Sequence, residues 1–505
     1  MSGPGGQDAA DRALDDALAL ANERRRPSAP GSPATPPDPH DPLSVALGHD
    51  EPPRPARPAE RPREPGAAAD PLAVALGLGR EDTGSDPAAE PPGRPGRSPA
   101  QAEDGIPWPE ARKAARLAGR RLPARTAELG EGALGMALAR ALVALTDLPS
   151  FDTSAMDGWA VAGNGPWRLR GRLMAGHRSA EPLHDGHAVD IATGAALPPG
   201  ATSVLRSEHG RIERRTDGEW LRLRPDRRAP EPGQEVRRRG QECRGGDELL
   251  PAGTVVTAAV LGLASAAGYD ELAVTTRPRV EVLVLGDELL DHGLPRAGRV
   301  RDALGPMLPS WLRALGAEVT SVRRLADDEG QLYEAVAGST AELVITTGGT
   351  AGGPRDHVHP VLARAGARLL VDGVAVRPGH PMLLARLPSG GHLIGLPGNP
   401  LAAVAGALTL AAPLLRTLAG RPVPAPYAAP LTADVPGHPV DTRLVPVVFD
   451  DESAARPLDF AGPAMLRGLA AADGMAVIPP GGARAGDDTA VLDTGVLDSA
   501  WGSGG

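Results

Sequence analysis

The sequence predicts a multidomain α/β protein. A central doubly wound α/β domain is flanked by small β-rich and α+β domains and a C-terminal β domain, and a disordered extension precedes them. Three observations lead there. From Pro278 onward, apolar runs of strand length alternate with helix-length stretches, the pattern of a parallel sheet wrapped by helices. Two of those runs feed into glycine-rich loops, as strands do at the ligand edge of such sheets. Finally, 20 of the 55 prolines lie in the first 100 residues, and the composition changes at Pro107.

Residues 1–105 are rich in Pro, Ala, Asp, Glu and Arg without apolar periodicity, so burial cannot offset chain entropy and disorder is expected. Within them, Asp41-Pro-Leu-Ser-Val-Ala-Leu-Gly48 recurs as Asp70-Pro-Leu-Ala-Val-Ala-Leu-Gly77. One reading is a duplicated protein-docking motif, with Asp as cap, Pro at the first helical position and an apolar stripe. The other is drift in a low-complexity, alanine-rich segment. Helices are expected over 108–119 and 130–146, the second on Ala and Leu content. Residues 106–150 and 235–277 form a linker or dimerisation domain in two segments, with a helix over 255–267 and a strand near 272–275. Between them, 151–234 reads as a small β-rich domain. The α/β domain spans 278–421, with strands over 280–285, 319–323, 342–347 and 392–396 and helices over 303–315 and 329–338. The uncharged run 401–415 reads as a buried helix, too short for a membrane span. Residues 422–505 are strand-like and turn-rich.

Composition narrows the function. A net charge of −10 argues against general nucleic-acid binding, which needs excess cations. Cys243 is the one cysteine, which excludes a disulfide framework and a Cys-based metal site and fits a reducing, cytoplasmic address. The N-terminus lacks an apolar signal region, and no membrane association is expected. Among 53 basic residues only Lys113 is lysine, a bias that matters where a lysine is expected.

The glycine-rich loops are Thr346-Thr-Gly-Gly-Thr-Ala-Gly-Gly-Pro-Arg-Asp356 and Gly395-Leu-Pro-Gly-Asn-Pro400, the latter with Asn399 as N-cap and Pro400 at N1. Neither matches a Walker A or dinucleotide fingerprint. Each alone reads as a tight turn; two in one domain favour a pocket for a phosphate or pterin phosphate. Asp287 and Glu288 close the first strand, where carboxylates either hold Mg²⁺ beside a phosphate or cap the next segment. Asp356-His-Val-His359 lacks a third nitrogen ligand at a recognisable spacing and reads as a solvated loop.

With these residues the chain resembles the molybdopterin molybdenumtransferase family, MoeA in bacteria and the gephyrin E domain in animals. Ser154-Ala-Met-Asp-Gly-Trp-Ala-Val161 is similar to the family's Ser-Ala-Met-Asp-Gly-Tyr-Ala-Val segment, and Thr193-Gly-Ala-Ala-Leu-Pro-Pro-Gly-Ala201 to its Thr-Gly-Ala motif. Segments 240–267, 286–289, 347–356, 376–381, 395–400 and 465–480 follow in the family's order, and the resemblance covers about residues 106–495.

The resemblance implies an elongated homodimer of four-domain subunits. The implied reaction takes adenylylated molybdopterin and molybdate to molybdenum cofactor and AMP, with Mg²⁺. Catalytic roles fall to Asp157, Thr193, Glu288 and Asp356, and metal binding to Glu288, Asp302 and Asp356. Substrate binding falls to Thr347, Gly348, Gly349, Thr350, Gly353, Arg377, His380, Pro381, Gly398, Asn399 and Arg443. Departures from the family concentrate at the oxyanion pocket. Ala351 stands in place of a serine, Arg377-Pro-Gly-His380-Pro381 in place of Lys-Pro-Gly-Lys-Pro, and Ala464 in place of a hydroxyl. Loss of these groups weakens a site for a tetrahedral dianion. Two other functions stay open: a non-catalytic molybdopterin-binding scaffold, which the altered pocket favours, and an adenylyltransferase-like activity, since the α/β domain also resembles the molybdopterin adenylyltransferase module.

Overall fold

The computed structural model describes residues 105–177, 181–350, 356–424 and 427–493. The repeated motifs at 41–48 and 70–77, the disorder expected before Gly105, and the substitution at Ala351 lie outside the described residues.

Helix α1 (Trp108–Ala118) starts with proline in its first turn and buries Ala111, Ala115 and Ala118 on one face. This alanine stripe joins the core of the α/β domain, packing among Leu414, Leu415 and Leu418. The Trp108 indole donates to Thr409 Oγ1 at 3.0 Å, and Arg386 donates to the Ala118 carbonyl at 2.6 Å. The segment around α1 thus packs with the α/β domain, although it was expected in the linker domain.

The linker domain pairs strand Ala124–Glu128 with Glu271–Thr275, and Leu142–Val143 with Glu248–Leu250. The helix expected over 130–146 is not formed. A short 3₁₀ turn, Glu131–Ala133, is followed by bridges from Ala137 to Val255 and Leu138 to Val274. Tertiary pairing with residues over 100 positions away overrides the propensity of Ala and Leu. Helix α2 (Ala258–Ala266) is capped by the Thr257 hydroxyl. The small β domain is a six-stranded sheet ordered 203–206, 158–161, 187–191, 167–173, 218–223, 210–215, around the fully buried Trp167.

In the α/β domain the elements are β1 (Arg279–Leu285), α3 (Leu304–Ala314), β2 (Glu318–Leu325), α4 (Glu329–Ala337), β3 (Leu343–Thr347), α5 (Val358–Arg364), β4 (Arg368–Asp372), β5 (Val374–Arg377), β6 (Leu383–Arg386) and β7 (His392–Leu396). Sheet order is β2-β1-β3-β7-β6-β4, parallel through β7, with β6 and β4 antiparallel at the edge. The order reverses direction at β1, so the carboxyl ends of β1, β3 and β7 line the edge where such sheets take ligands. Helix α6 runs over Pro400–Leu418, interrupted by a π turn at Ala407–Ala411. It is long and apolar enough to cross a membrane, yet 89% of its apolar window is buried inside the protein as core.

Strand β5 leaves this sheet. It pairs in parallel with β8 (Thr442–Phe449) of the C-terminal domain on one side and with Ile106–Pro107 on the other. One seven-stranded sheet therefore crosses the expected boundary at 421/422 and couples the two domains.

Candidate active site

The two glycine-rich loops meet. Gly348 and Gly349 follow β3 at φ +85° and +68°, a region open to glycine and strained for other residues. The Gly348 amide donates to the Leu396 carbonyl at 2.8 Å. A Cβ added to Gly398 would lie 3.6 Å from the Gly348 Cα, so the loops touch backbone to backbone. Thr347 and Thr350 are buried beneath them, and a Cβ on Gly395 would clash with the Thr350 methyl at 2.7 Å. This small-residue seam leaves main-chain groups at the surface beyond β1, β3 and β7, a surface suited to a phosphate.

Asn399 occupies the N-cap position of α6 with Pro400 after it, but its side chain makes no capping hydrogen bond. The amides of Leu401 and Ala402 instead donate to the Pro463 carbonyl of the C-terminal domain, at 2.9 and 3.2 Å. The start of α6 is therefore occupied by protein.

The acidic residues are held in different ways. Glu288 is half-buried, with its carboxylate folded back over Gly286. Asp302 is buried; one oxygen accepts from the Gly305 amide at 2.8 Å and the other from Arg324 at 2.7 Å. Asp356 caps α5 by accepting from the Val358 and His359 amides at 3.1 and 3.2 Å, while its second oxygen meets His359 Nδ1 at 2.5 Å. Among the described residues, no group of three or more His, Cys, Asp or Glu side chains is placed to hold a metal. Glu288, Asp302 and Asp356 do not converge as a Mg²⁺ site.

His359 lies on helix α5, where a solvated loop was expected. Its Nε2 pairs with Asp372 at 2.9 Å, so the ring is clasped between two carboxylates. Hydrogen bonding first to Asp356 and then to Asp372 pushes its pKa up to about 10, which makes it an imidazolium at neutral pH. The three-residue spacing of Asp356 and His359 is a local signal that the sequence reading takes for a solvated loop, and Asp372 is found only from the fold.

Asp157 and Thr193 come together in the small β domain. Asp157 Oδ1 accepts from the Thr193 amide at 2.7 Å and from its hydroxyl at 2.9 Å. These bonds, the amide first, hold the exposed Asp157 carboxyl below its usual range and keep it ionised. No hydrogen bond or ion pair among the described residues joins this pair to Glu288 within one chain.

The cationic residues gather on the shared sheet. Arg377 of β5 lies in register with Arg443 of β8. Arg377 Nε donates to Asp441, and an Arg443 terminal nitrogen donates to the Pro436 carbonyl. His380 Nδ1 faces the Val374 carbonyl at 2.9 Å, so that nitrogen is used by the turn, and Pro381 follows it half-buried. Ala464 sits exposed beside Pro463, and Gly353 lies outside the described residues.

The two glycine loops thus meet at the carboxyl edge of the α/β sheet, and Arg377 and Arg443 stand in register on the sheet shared with the C-terminal domain, an arrangement of the multidomain α/β class. Residues 106–268 match the MoeA N-terminal region (domains I and II), 281–417 a probable molybdopterin binding domain, and 428–493 the MoeA C-terminal region (domain IV). The chain belongs to the MoeA family of molybdopterin molybdenumtransferases. Molybdopterin molybdenumtransferase 2 of Mycobacterium tuberculosis is 34% identical over 370 residues, 69% of this chain and 89% of that protein. A molybdopterin molybdenumtransferase of Nostoc is 32% identical over 301 residues, 57% of this chain and 67% of that protein. The crystal structure of a molybdopterin biosynthesis MoeA protein from Pyrococcus horikoshii superposes with a TM-score of 0.63 at 26% identity, covering 77% of this chain and 99% of that one.

Proposed function

We propose that this chain is a molybdopterin molybdenumtransferase that inserts molybdenum from molybdate into adenylylated molybdopterin and releases AMP. The meeting of the Gly348 and Gly398 loops at the carboxyl edge of the sheet carries the reading. In it, Gly348, Gly349 and Gly398 cradle the pterin phosphate, and Arg377 and Arg443 attract the oxyanion. Glu288 and the ionised Asp157, oriented by Thr193, flank the phosphoanhydride from two sides. Asp302 and Asp356 shape the pocket through their helix caps. Because the three candidate carboxylates do not converge, no step is assigned to Mg²⁺.

The protein acts in the cytoplasm as a homodimer, in which the small β domain of one protomer closes on the α/β domain of the other. Helix α2 supports this. Its sequence AAVLGLASA carries no charge, yet only Val260 and Ala264 are buried. An open groove of about 830 Å³ runs along its other face, lined by Ala259, Gly262, Leu263 and Ala266 with Leu148 and Pro149, and bordered by Arg237, Gln241 and Glu242. An uncharged, small-residue face of this kind suits a second copy.

A scaffold that holds molybdopterin without inserting metal is the second reading, favoured by the commitment of His380 Nδ1 to a backbone carbonyl. Purified protein given adenylylated molybdopterin and molybdate decides between them. AMP release matched by molybdenum uptake is expected, and binding without either would establish the scaffold.

A further inference from the structure

Arg377 carries its charge from the α/β domain to the C-terminal domain, where its Nε donates to Asp441 Oδ2 at 2.7 Å. The two partners sit in opposite environments. The Asp441 side chain is 5% exposed and that of Arg377 is 54% exposed. One edge of the guanidinium is thus anchored in the protein while the rest stands in solvent, on the strand in register with Arg443.

His438 does not replace Arg377 as a partner for Asp441. Its Nδ1 accepts from the Asp441 amide at 3.0 Å and from the Val440 amide at 3.4 Å. That nitrogen therefore presents a lone pair to the carboxylate 3.3 Å away, and cannot donate to it. Arg377 supplies the charge that makes burial of Asp441 tolerable.

We propose that Asp441 is a positioning residue. By holding Nε it fixes the plane of the Arg377 guanidinium and leaves Nη1 and Nη2 as a fork for a tetrahedral oxyanion, either molybdate or the phosphate of the adenylylated substrate. This rests on the reading of Arg377 as a substrate ligand. A lysine at 377 lacks this division of labour, because its ammonium presents no planar fork and must share its three N–H donors between Asp441 and the anion.

The test uses the full chain and the variants Asp441→Asn, Asp441→Glu, Arg377→Lys, Arg377→Ala and Asp441→Asn with Arg377→Lys. Equilibrium dialysis measures molybdate binding, calorimetry measures AMP binding, and steady-state insertion gives KM and kcat. Asp441→Asn should weaken the anion that Arg377 contacts by about fivefold or more, and raise its KM more than it lowers kcat. Whether molybdate or AMP is the anion affected identifies the oxyanion. Asp441→Glu keeps the buried charge but displaces the contact, so it should fold with a normal melting temperature and still bind weakly. Arg377→Lys should bind about tenfold more weakly, and adding Asp441→Asn should cause no further loss, because the ammonium is released toward the anion. Lower melting temperatures with unchanged affinities, or full affinity in Asp441→Glu, would overturn the proposal. Unchanged binding in Arg377→Ala would instead refute Arg377 as a ligand. Absence of insertion by the unaltered chain would refute the assigned function, with the binding measurements still judging the clasp.

Discussion

Replacing His359 with glutamine tests whether a charged clasp ties the start of α5 to β4. Glutamine keeps a donor of similar reach but removes the charge between Asp356 and Asp372. The folded value of about 10 lies above the ordinary histidine value of 6.5, so folding binds the proton more tightly. The stabilisation is therefore complete below pH ~6.5 and is lost progressively as pH rises through ~10. Each unit is worth about 1.4 kcal/mol, and discounting by more than half for solvent screening leaves ~2 kcal/mol near pH 6.5. For a domain of this size that corresponds to roughly 4–8 °C in melting temperature. Scanning calorimetry of both proteins from pH 6 to 10 should show a gap that is widest at the acid end and closes toward pH 10. Parallel curves across that range would refute the charged clasp and leave His359 as a packing residue.

Three further predictions concern the site and its assembly. Asp157→Ala and Glu288→Ala should each lower insertion turnover by at least ~10²-fold with melting temperature unchanged; turnover equal to the unaltered chain excludes the role assigned. Gly348→Ala has room for its methyl group, 3.6 Å from the Leu285 carbonyl, but must hold φ +85°, so it should cost ~1–2 kcal/mol of stability in urea unfolding and weaken substrate binding. Ala266→Arg places a charge in the α2 groove and should convert the dimer to monomer in light scattering, with insertion lost alongside; a dimer that persists moves the interface elsewhere.

The parts of the fold legible in the sequence are those set by local pattern. Strand β7 and the buried α6 announce themselves as apolar runs between turn residues, and the paired glycine loops follow from their strands. Segment 130–146 departs from its helical pattern because Ala and Leu favour helix only when nothing else competes. Here bridges to Val255 and Val274 supply other partners for the backbone. The same limit hides the path of β5. Nothing in Val374–Arg377 says that it pairs with β8, since that register depends on residues 66 positions away. The family motifs imply that Asp157 and Thr193 share a cleft but not that they touch, and Asp441 beneath Arg377 carries no local signal.

The capping of α6 explains where the attraction for an anionic substrate arises. A helix start beside a glycine loop ordinarily offers free amides and the positive end of the helix dipole. Here Pro400 has no amide proton, and the next two amides are satisfied by Pro463. The positive charge must come from side chains, and the chain has only one lysine, Lys113, which pairs with Glu110 on α1. The arginine pair of the interdomain sheet, Arg377 and Arg443, supplies that charge in the proposed function. They stand side by side where β5 of the α/β domain pairs with β8 of the C-terminal domain. The Pro463 cap and the β5–β8 pairing are thus two contacts of one seat: on the proposed function, docking of the C-terminal domain withdraws two helix-start amides from the substrate and brings Arg443 beside Arg377. It follows that a change loosening that domain should reduce anion binding even where every loop residue is intact.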